Sequence, residues 1–296
     1  MKFHAILIIR DEEDIIRECL ESALGWCDHV YVYDTGSTDG TWEMVGEFAR
    51  RDPRVVPFVR ESVVFHDTIR AFVFDEFRKN MRDGDWVVRL DADELYYAAP
   101  PEFVRARLAR HESQVYSQMY EFRLTEEEVA NWEAGRETLA DRARSIKERR
   151  RHYVKLRYSE PRMFRYRRTM QWGADASFPF NAGLIARARV PILHYPHRDP
   201  EQIRRRCELR AYVARHRSDI YEHWKPKDWR TFVVRADDPE LNHWDGRSPL
   251  PECDFRNHLP APTKRLAQRL VYAALLPALD RARPDFPASY RPVPLK

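Results

Sequence analysis

The chain has 296 residues, of which 43% are hydrophobic and 33% charged. A chain of this length and composition can bury a substantial core, as one large domain or as one domain with an appendage, and it is not the composition of an intrinsically disordered protein. The net charge of +4 fits an anionic ligand or a membrane surface, but it is too small to indicate a nucleic-acid-binding protein.

Two further features concern the compartment. The four cysteines are scattered without a C-x-x-C pair or zinc-ligand spacing, which indicates reduced thiols in the cytoplasm. The apolar stretch near the amino terminus is too short for a signal peptide, and no apolar run approaches the roughly 20 residues that a membrane-spanning helix needs. We therefore expect a cytoplasmic protein, with peripheral association at the inner face of a membrane compatible with its basic segments.

Apolar runs alternate with amphipathic stretches in the first hundred residues. The predicted strands lie at 5–9, 29–33, 55–59 and 86–90, and the predicted helices at 15–23, 41–51 and 69–81. Strands that alternate with helices at this spacing predict an α/β fold with a mostly parallel sheet flanked by helices. Later elements are expected as a helix over 102–110, a strand over 115–122, a strand pair within 183–193 and a helix over 201–217.

The composition changes twice along the chain. Residues 125–151 are almost wholly charged and polar, which predicts a partly helical excursion at the surface. Residues 201–296 contain many Pro and Trp and no βα rhythm, so we expect a mainly helical extension packed on a domain that spans 1–200. Within the extension, the apolar stripe over 266–279 is more typical of a docking face than of a membrane-surface helix.

Three carboxylates, Asp91, Asp93 and Glu94, crowd the carboxyl end of the strand over 86–90. Like charges this close repel one another, and their burial is costly unless a positive group lies among them. A divalent cation with oxygen ligands is the simplest such partner. The alternative is an acidic turn that caps the next helix, and a D-x-D pair alone does not decide between the two.

Two other predicted strands also end in polar motifs. Arg10-Asp11-Glu12 follows the first strand, and Asp34-Thr35-Gly36-Ser37 follows the second. In a doubly wound sheet these ends and the Asp91 cluster face the same edge, where ligands of open α/β sheets bind. Coincident strand-end carboxylates are a stronger signal than any one of the motifs.

These three motifs, in this order, resemble the family 2 glycosyltransferases of the GT-A fold. The segments are RDEE at 10–13, YDTGSTDGT at 33–41 and DADE at 91–94, and the resemblance thins beyond the first hundred residues. It implies a GT-A-like, Rossmann-like fold, a nucleotide diphosphate sugar as donor, Mg²⁺ or Mn²⁺, and transfer with inversion. Family habit suggests the hydroxyl of a glycan or of a lipid-linked intermediate as acceptor.

The resemblance also implies roles for the strand-end residues. Arg10, Asp11 and Glu12 would lie against the nucleoside, and Asp34 would accept hydrogen bonds from the base. For Asp34 the alternative is an Asx-turn or a helix N-cap, which the neighbouring Thr, Gly and Ser make plausible, but its place at a strand end favours the ligand role. For Arg10 the alternative is a surface charge that ends a strand. Ser37, Thr38 and Asp39 are expected to build the turn and cap the next helix.

The metal and diphosphate would involve later residues. By the resemblance, Asp91 would lie toward the ribose and metal, and Asp93 would ligate the metal. His194 ends an apolar run where GT-A enzymes often place a metal-binding histidine, although a histidine at a strand end is usually structural. His197, three residues later, is the rival, and two histidines alone do not make a zinc site. Basic residues from Arg198 onward could hold a diphosphate or form a solvated helix face.

An inverting transfer needs a base that takes the proton from the acceptor hydroxyl. The candidate is Asp175, because Trp172-Gly173-Ala174-Asp175 resembles the GT-A segment in which an aromatic residue lies beside the sugar and a catalytic carboxylate ends the motif. Ala174 departs from the fuller acidic pattern of the family. A loop carboxylate is the structural alternative for Asp175, and Glu94 is the rival base.

Two other functions compete with a glycosyltransferase. A nucleotidyltransferase uses similar strand-end carboxylates, but it normally carries a Gly-rich, Lys-containing phosphate loop, and RDEE at 10–13 has neither. The second is a non-catalytic nucleotide-sugar-binding protein, which the incomplete motif at Asp175 supports.

Overall fold

The computed structural model describes residues 1–173, 176–216, 227–252, 266–270 and 274. These ranges contain twelve strands, which are β1 (Phe3–Ile9), β2 (His29–Asp34), β3 (Val55–Arg60), β4 (Trp86–Asp91), β5 (Glu94–Tyr96), β6 (Gln114–Phe122), β7 (Leu124–Thr125), β8 (His152–Lys155), β9 (Pro161–Arg165), β10 (Val190–His194), β11 (Val233–Val234) and β12 (Asn242–His243). They also contain seven helices and a helical stretch over 266–270. The seven are α1 (Ile16–Leu24), α2 (Thr41–Arg51), α3 (Thr68–Phe77), α4 (Pro100–Arg107), α5 (Glu126–Glu133), α6 (Ile146–Arg149) and α7 (Pro200–His216).

The chain groups into two compact units, of which the first comprises Met1–Gln118, Arg157–Ile192 and Asp254–Lys296. Its sheet places β3, β2, β1 and β4 side by side and parallel, with β9 antiparallel to β4. All seven residues of β1 are buried, as expected of a strand whose sheet is covered on both faces. The predicted mostly parallel α/β fold is confirmed.

The helices of the first unit bury the predicted apolar faces. In α1 the buried positions recur every three or four residues, at Ile16, Cys19, Leu20 and Ala23. The helix predicted over 69–81 is shorter than expected, because α3 ends at Phe77 and a 3₁₀ turn follows over Arg78–Asn80. The Met81 amide donates to the Arg78 carbonyl at 3.0 Å, which closes this tighter turn and releases the chain toward β4.

The second unit comprises Met119–Leu156 and Leu193–Cys253. The end of β6 pairs antiparallel with β8, β8 pairs with β12, and the short β7 pairs with β11. A small core of Leu124, Val129 and Ile203 packs with Trp229 and Phe232. The predicted boundary between a domain over 1–200 and an extension over 201–296 stays a prediction, since this grouping follows contacts rather than the order of the chain.

The charged segment 125–151 is partly helical, as predicted, but it is not wholly a surface excursion. Arg150 is about 1% exposed, and its guanidinium group donates to both carboxylate oxygens of Glu137 and to the Arg198 carbonyl. Arg142 pairs similarly with the buried Asp199 at 2.8 Å. Burial of charges requires such pairing, so the composition of this segment hid an internal ion-pair network.

The strand pair expected within 183–193 is corrected, and the stripe expected over 266–279 lies mostly outside the described residues. The strand pair within 183–193 is a single strand, β10, preceded by an isolated bridge between Gln114 and Ile185. Gly183 has φ +98°, a turn conformation that interrupts an extended run. Of the stripe over 266–279, residues 266–270 are helical and exposed, and most of the rest lies outside the described residues. No helix in the described ranges combines the length and apolar character needed to cross a membrane.

Candidate active site

The ends of β1, β2 and β4 lie together at one edge of the first unit's sheet. The strand register pairs Ile9 with Asp34 on one side of β1 and Ile8 with Asp91 on the other. Asp34 and Asp91 are therefore separated by one strand, or by two inter-strand spacings of about 5 Å each. This confirms the predicted meeting of the strand-end carboxylates at a common edge.

The two carboxylate oxygens of Asp34 have different surroundings. Oδ1 accepts hydrogen bonds from the Gly36 and Ser37 amides at 2.7 and 2.6 Å, which builds the turn that follows β2. Oδ2 is buried and has no hydrogen-bond partner among the described residues. A buried acceptor without a partner costs about 1–3 kcal/mol. Burial raises the pKa of Asp34, although the two amides oppose that shift.

Glycine is required in this turn. Gly36 has φ +103°, and a Cβ atom there would lie 2.8 Å from the Ser62 Cα atom. The turn thus packs against the chain that leaves β3, and only a residue without a side chain allows that approach. Asp34 therefore forms the Asx-turn that was the alternative expectation, but it does so through Oδ1 alone. Oδ2 takes no part in the turn.

The segment after β1 interlocks with the turn after β2. The Asp11 amide donates to Ser37 Oγ at 2.9 Å, and Asp11 Oδ1 accepts from the Thr38 amide at 2.7 Å. The Glu12 amide donates to Thr41 Oγ1 at 2.8 Å at the start of α2. Asp11 has φ +52°, which is uncommon for a residue with a side chain and is held here by these bonds. The predicted turn-building role of Ser37 and Thr38 is confirmed.

Arg10 also has a structural role at this edge. Its Nη1 atom donates to the Thr35 carbonyl at 2.9 Å and to the Val63 carbonyl at 3.4 Å. Its guanidinium group therefore joins the chain after β1 to the chains after β2 and β3. This favours the structural alternative for Arg10, which fixes the edge on which Asp34 lies, and its predicted contact with the nucleoside stays a prediction.

Asp91 is held by two guanidinium groups. Arg70 Nη2 donates to Oδ1 at 2.5 Å and Arg162 Nη1 to Oδ2 at 3.2 Å. Arg162 Nη2 also donates to Glu94 Oε1 at 2.5 Å. Burial raises the pKa of Asp91, but the guanidinium groups of Arg70, Arg162 and Arg89 outweigh burial and lower it to about 2. Asp91 is therefore a carboxylate at any physiological pH.

The sequence analysis missed three buried arginines that lie at this edge of the sheet. Arg70, Arg89 and Arg162 are each no more than 6% exposed and supply the positive charge that we had assigned to a metal alone. Arg89 Nη1 donates to the Pro161 carbonyl at 3.1 Å, and Nη2 lies 4.0 Å from Asp67 Oδ1. Burial and the other two guanidinium groups lower the pKa of Arg89 to about 10, so it stays charged at neutral pH. The sequence contained one sign of these arginines, which is that Arg89 is a charged residue inside the apolar run of β4.

The carboxylates described at this edge do not form a complete metal site by themselves. Within the described ranges, no group of three or more His, Cys, Asp or Glu side chains is arranged to hold a metal ion. Asp91 and Glu94 accept hydrogen bonds from arginines, and Asp93 is buried as well. Mg²⁺ commonly binds through one or two carboxylates together with substrate phosphates. The donor set therefore fits a cation bound jointly with a diphosphate and not one held by the protein alone.

The histidines at the end of β10 belong to the second unit and differ from each other. His194 Nδ1 lies 3.2 Å from Glu121 Oε2. His197 is buried and stacks on Phe232 with ring centroids 4.7 Å apart. Burial and the nearby Arg206 lower the pKa of His197 well below its ordinary value, so it is neutral and packed. The role of His194 as a metal ligand stays a prediction.

Comparison with known proteins identifies the family. The profile of Glycosyl transferase family 2 matches residues 5–185, which is more than half of the chain. The chain belongs to this family. No curated protein matches the sequence.

Solved structures similar to this glycosyltransferase are distant. A mannosyltransferase from Pyrobaculum calidifontis, solved with GDP-Man and Mn²⁺, is 16% identical with a TM-score of 0.38, over 75% of this chain and 66% of that one. TarS of S. aureus is 14% identical with a TM-score of 0.36, over 75% of this chain and 41% of TarS. The chain therefore spans less than two thirds of the length of these relatives.

The family match covers every predicted site residue except His194. Asp175, the predicted base, lies outside the described residues, so its role stays a prediction. The preceding Trp172 is buried in the core of the first unit, where its ring lies 5.7 Å from that of Phe74. Its Nε1 atom donates to the Ala176 carbonyl at 2.8 Å. This position makes Trp172 an anchor of the loop, and the expectation of an aromatic ring beside the sugar stays a prediction.

Glu94, the rival base, is less suited to proton transfer. Its side chain is about 1% exposed, and Oε1 accepts from Arg162 at 2.5 Å. A buried carboxylate that already accepts a hydrogen bond from a guanidinium group is less accessible to an acceptor hydroxyl. It is also a carboxylate that the arginine needs as a counter-charge.

Proposed function

We propose that this family 2 glycosyltransferase moves a sugar from a nucleotide diphosphate sugar to an acceptor hydroxyl by direct displacement, with inversion at the anomeric carbon. The observation that carries the proposal is the buried Oδ2 atom of Asp34, which has no hydrogen-bond partner in the described ranges and lies at the sheet edge where β4 ends in Asp91. A buried acceptor at the edge where ligands of open α/β sheets bind supports this proposal, because a donor group of the ligand would satisfy it.

The nucleoside contacts follow from the two carboxylates. Asp34 Oδ2 accepts a hydrogen bond from the base, which favours bases with a ring N–H group such as uracil and guanine. Asp91 is ionised and its side chain is 28% exposed, so it can accept from a ribose hydroxyl while both arginines hold it. The interlocked segments after β1 and β2 keep Asp34 in place, so little ordering is needed when the nucleotide binds.

The diphosphate is the leaving group of the reaction and develops negative charge. Asp93 is the residue proposed to hold Mg²⁺ or Mn²⁺ together with the diphosphate. When bound, the cation would neutralise that charge without proton transfer. Arg70 and Arg162 contribute by keeping Asp91 ionised and oriented at the same edge.

Asp175 is the proposed base for the acceptor hydroxyl. It takes the proton as the hydroxyl oxygen attacks the anomeric carbon, which is the step that a direct displacement requires. Support comes from its sequence motif and from Glu94, its rival, being tied to Arg162. A glycan or a lipid-linked sugar is the proposed class of acceptor.

The test is an assay of nucleoside diphosphate release and of glycosylated product with a panel of nucleotide sugars, with and without Mn²⁺. Asp93→Ala is expected to abolish transfer and metal-dependent donor binding without loss of the native circular dichroism spectrum. Wild-type activity in that variant would contradict the role of Asp93. Pyrophosphate made from a sugar 1-phosphate and a nucleoside triphosphate would indicate a nucleotidyltransferase instead. Tight donor binding without turnover would indicate a binding protein.

A further inference from the structure

Asp67 connects the strand-end carboxylate Asp91 to the loop that contains Ser177. Its Oδ1 atom accepts a hydrogen bond from Arg70 Nη1 at 2.7 Å, and Arg70 Nη2 donates to Asp91. Its Oδ2 atom accepts from Ser177 Oγ at 2.8 Å. A chain of three side-chain contacts thus runs from Asp91, through Arg70 and Asp67, to Ser177.

Ser177 belongs to a loop that is closed at its base by other bonds. Asn181 Oδ1 accepts from the Gln171 amide at 2.9 Å, and Asn181 Nδ2 donates to the Thr169 carbonyl at 2.8 Å. Trp172 anchors the same loop in the core. These bonds hold the loop to itself and to the core, whereas the Ser177 bond ties it to the carboxylate and arginine cluster beside Asp91.

The cluster to which Ser177 is tied is paired on several sides around a buried guanidinium group. Arg70 is about 3% exposed, and its guanidinium group lies between Asp67 and Asp91 with a further contact over the Phe65 ring. An ion pair buried to this degree holds its geometry because each charge needs the other. A hydroxyl bonded to Asp67 Oδ2 is therefore bonded to a fixed point relative to Asp91.

We propose that Asp67 is a positioning residue that, through Ser177, fixes the loop after Trp172 relative to the donor-side carboxylate Asp91. The proposal rests on the proposed function, because it concerns the sugar transfer step. Small displacements of reacting groups lower rates by as much as 100-fold without weakening binding. Loss of the Ser177 bond is thus expected to reduce the rate of transfer and to leave nucleotide affinity unchanged.

Ser177→Ala is the discriminating substitution, since it removes one hydrogen bond and leaves the Asp67–Arg70–Asp91 contacts intact. Asp67→Asn is less informative, because it also removes the counter-charge of Arg70 and Arg89. Ser177→Thr keeps the hydroxyl and serves as the rescue variant. Ser248→Ala is the matched control, since Ser248 Oγ makes a similar bond to a carboxylate, Asp245 Oδ2, at 2.6 Å in the second unit.

The experiment measures kcat and KM for transfer, the Kd for a nucleoside diphosphate by calorimetry, and amide hydrogen exchange of the loop in the ligand-free protein. For Ser177→Ala we expect kcat to fall about 10-fold or more, Kd to stay within about twofold, and exchange at Trp172, Gly173 and Ala176 to become faster. Ser177→Thr should restore all three values, and Ser248→Ala should change none of them.

Two results would overturn the proposal. One is a wild-type kcat in Ser177→Ala, and the other is an equal loss in kcat and in nucleotide affinity, which would mean that the bond serves donor binding. If the wild-type protein binds no nucleoside diphosphate, the proposed function fails. The ligand-free exchange measurement then still decides whether Ser177 holds the loop, because unchanged exchange in Ser177→Ala overturns the tether.

Discussion

Asp34 uses its two carboxylate oxygens for different purposes. Oδ1 builds the turn after β2 and Oδ2 is left buried without a partner in the described part of the chain. Asp34→Asn keeps an oxygen for the turn but places an amide NH2 group, itself a donor, where the base is expected to donate. Because a hydrogen bond to a charged group contributes about 1.5–3 kcal/mol, we expect nucleoside diphosphate affinity to fall about 10- to 100-fold by calorimetry.

A matched control for this variant is Asp75→Asn. Asp75 lies on α3 and pairs with Arg78 at the surface, away from the strand ends. Asp75→Asn removes one negative charge, as Asp34→Asn does, and is expected to leave the affinity for the nucleoside diphosphate unchanged. Equal losses in both variants would show that net charge, and not a hydrogen bond to Asp34, determines nucleotide binding.

The two strand-end carboxylates should also differ in pH dependence. The pKa of Asp34 is raised, so this group takes up a proton on the acid side of neutrality before a normal aspartate would. The pKa of Asp91 is lowered to about 2, so its ion pairs persist down to pH values well below its unfolded pKa. Nucleotide affinity is expected to weaken as pH falls through the raised pKa of Asp34. Asp34→Asn should abolish that pH dependence, and its persistence in the variant would assign it to another group.

At the scale of elements, the turn after β2 depends on Gly36. Gly36→Ala adds a Cβ atom at φ +103° and 2.8 Å from the Ser62 backbone, so the turn or the chain after β3 must shift. We expect a loss of about 1–3 kcal/mol in unfolding free energy, with weaker nucleotide binding. Gly135→Ala is the control, since Gly135 also has a positive φ but has nothing within 4 Å of the added atom. Equal losses at both positions would mean that backbone strain alone, and not the approach to Ser62, explains the requirement.

The contact between β9 and the end of β4 depends on Arg162, which neutralises Asp91 and Glu94. Arg162→Met leaves both carboxylates without this partner in a buried place, so we expect a loss of about 3–5 kcal/mol in urea denaturation. Arg235→Ala breaks the exposed pair with Asp237 and should have little effect. A small loss in Arg162→Met would show that water or another group replaces the guanidinium.

At the scale of the whole molecule, the sequence predicts the sheet and its edge well. The strands alternate with helices in a regular pattern, and Asp34 and Asp91 mark strand ends that the register then brings together. The arginines were not predictable in the same way, because Arg70 and Arg162 reach Asp91 from 21 and 71 residues away. Local patterns record the period of an element but not which distant charge it meets.

The second unit shows the same limit. Its charged stretch over 125–151 has the composition of a solvated surface, yet it contains the buried Arg150 and the partner of the buried Asp199. The pairing that allows this burial joins residues from separate segments of the chain. Composition therefore predicted the helices there but not the ion-pair network.

The proposed metal site would be completed only when protein and nucleotide are together. Because the donor set fits a cation held jointly with a diphosphate, Mn²⁺ alone should hardly change the melting temperature, while Mn²⁺ with a nucleoside diphosphate should raise it by several degrees. Asp93→Asn should lose the increment that Mn²⁺ adds. Strong stabilisation by Mn²⁺ without nucleotide would contradict joint binding.

The proposed function depends most on where the nucleotide binds. A crystal structure of the full chain with Mn²⁺ and the nucleoside diphosphate that binds best in calorimetry tests this directly. We predict a ring N–H of the base within about 3.2 Å of Asp34 Oδ2, and the ribose beside Asp91. A nucleotide bound elsewhere, or at this edge with Asp34 Oδ2 still without a partner, would contradict the proposal.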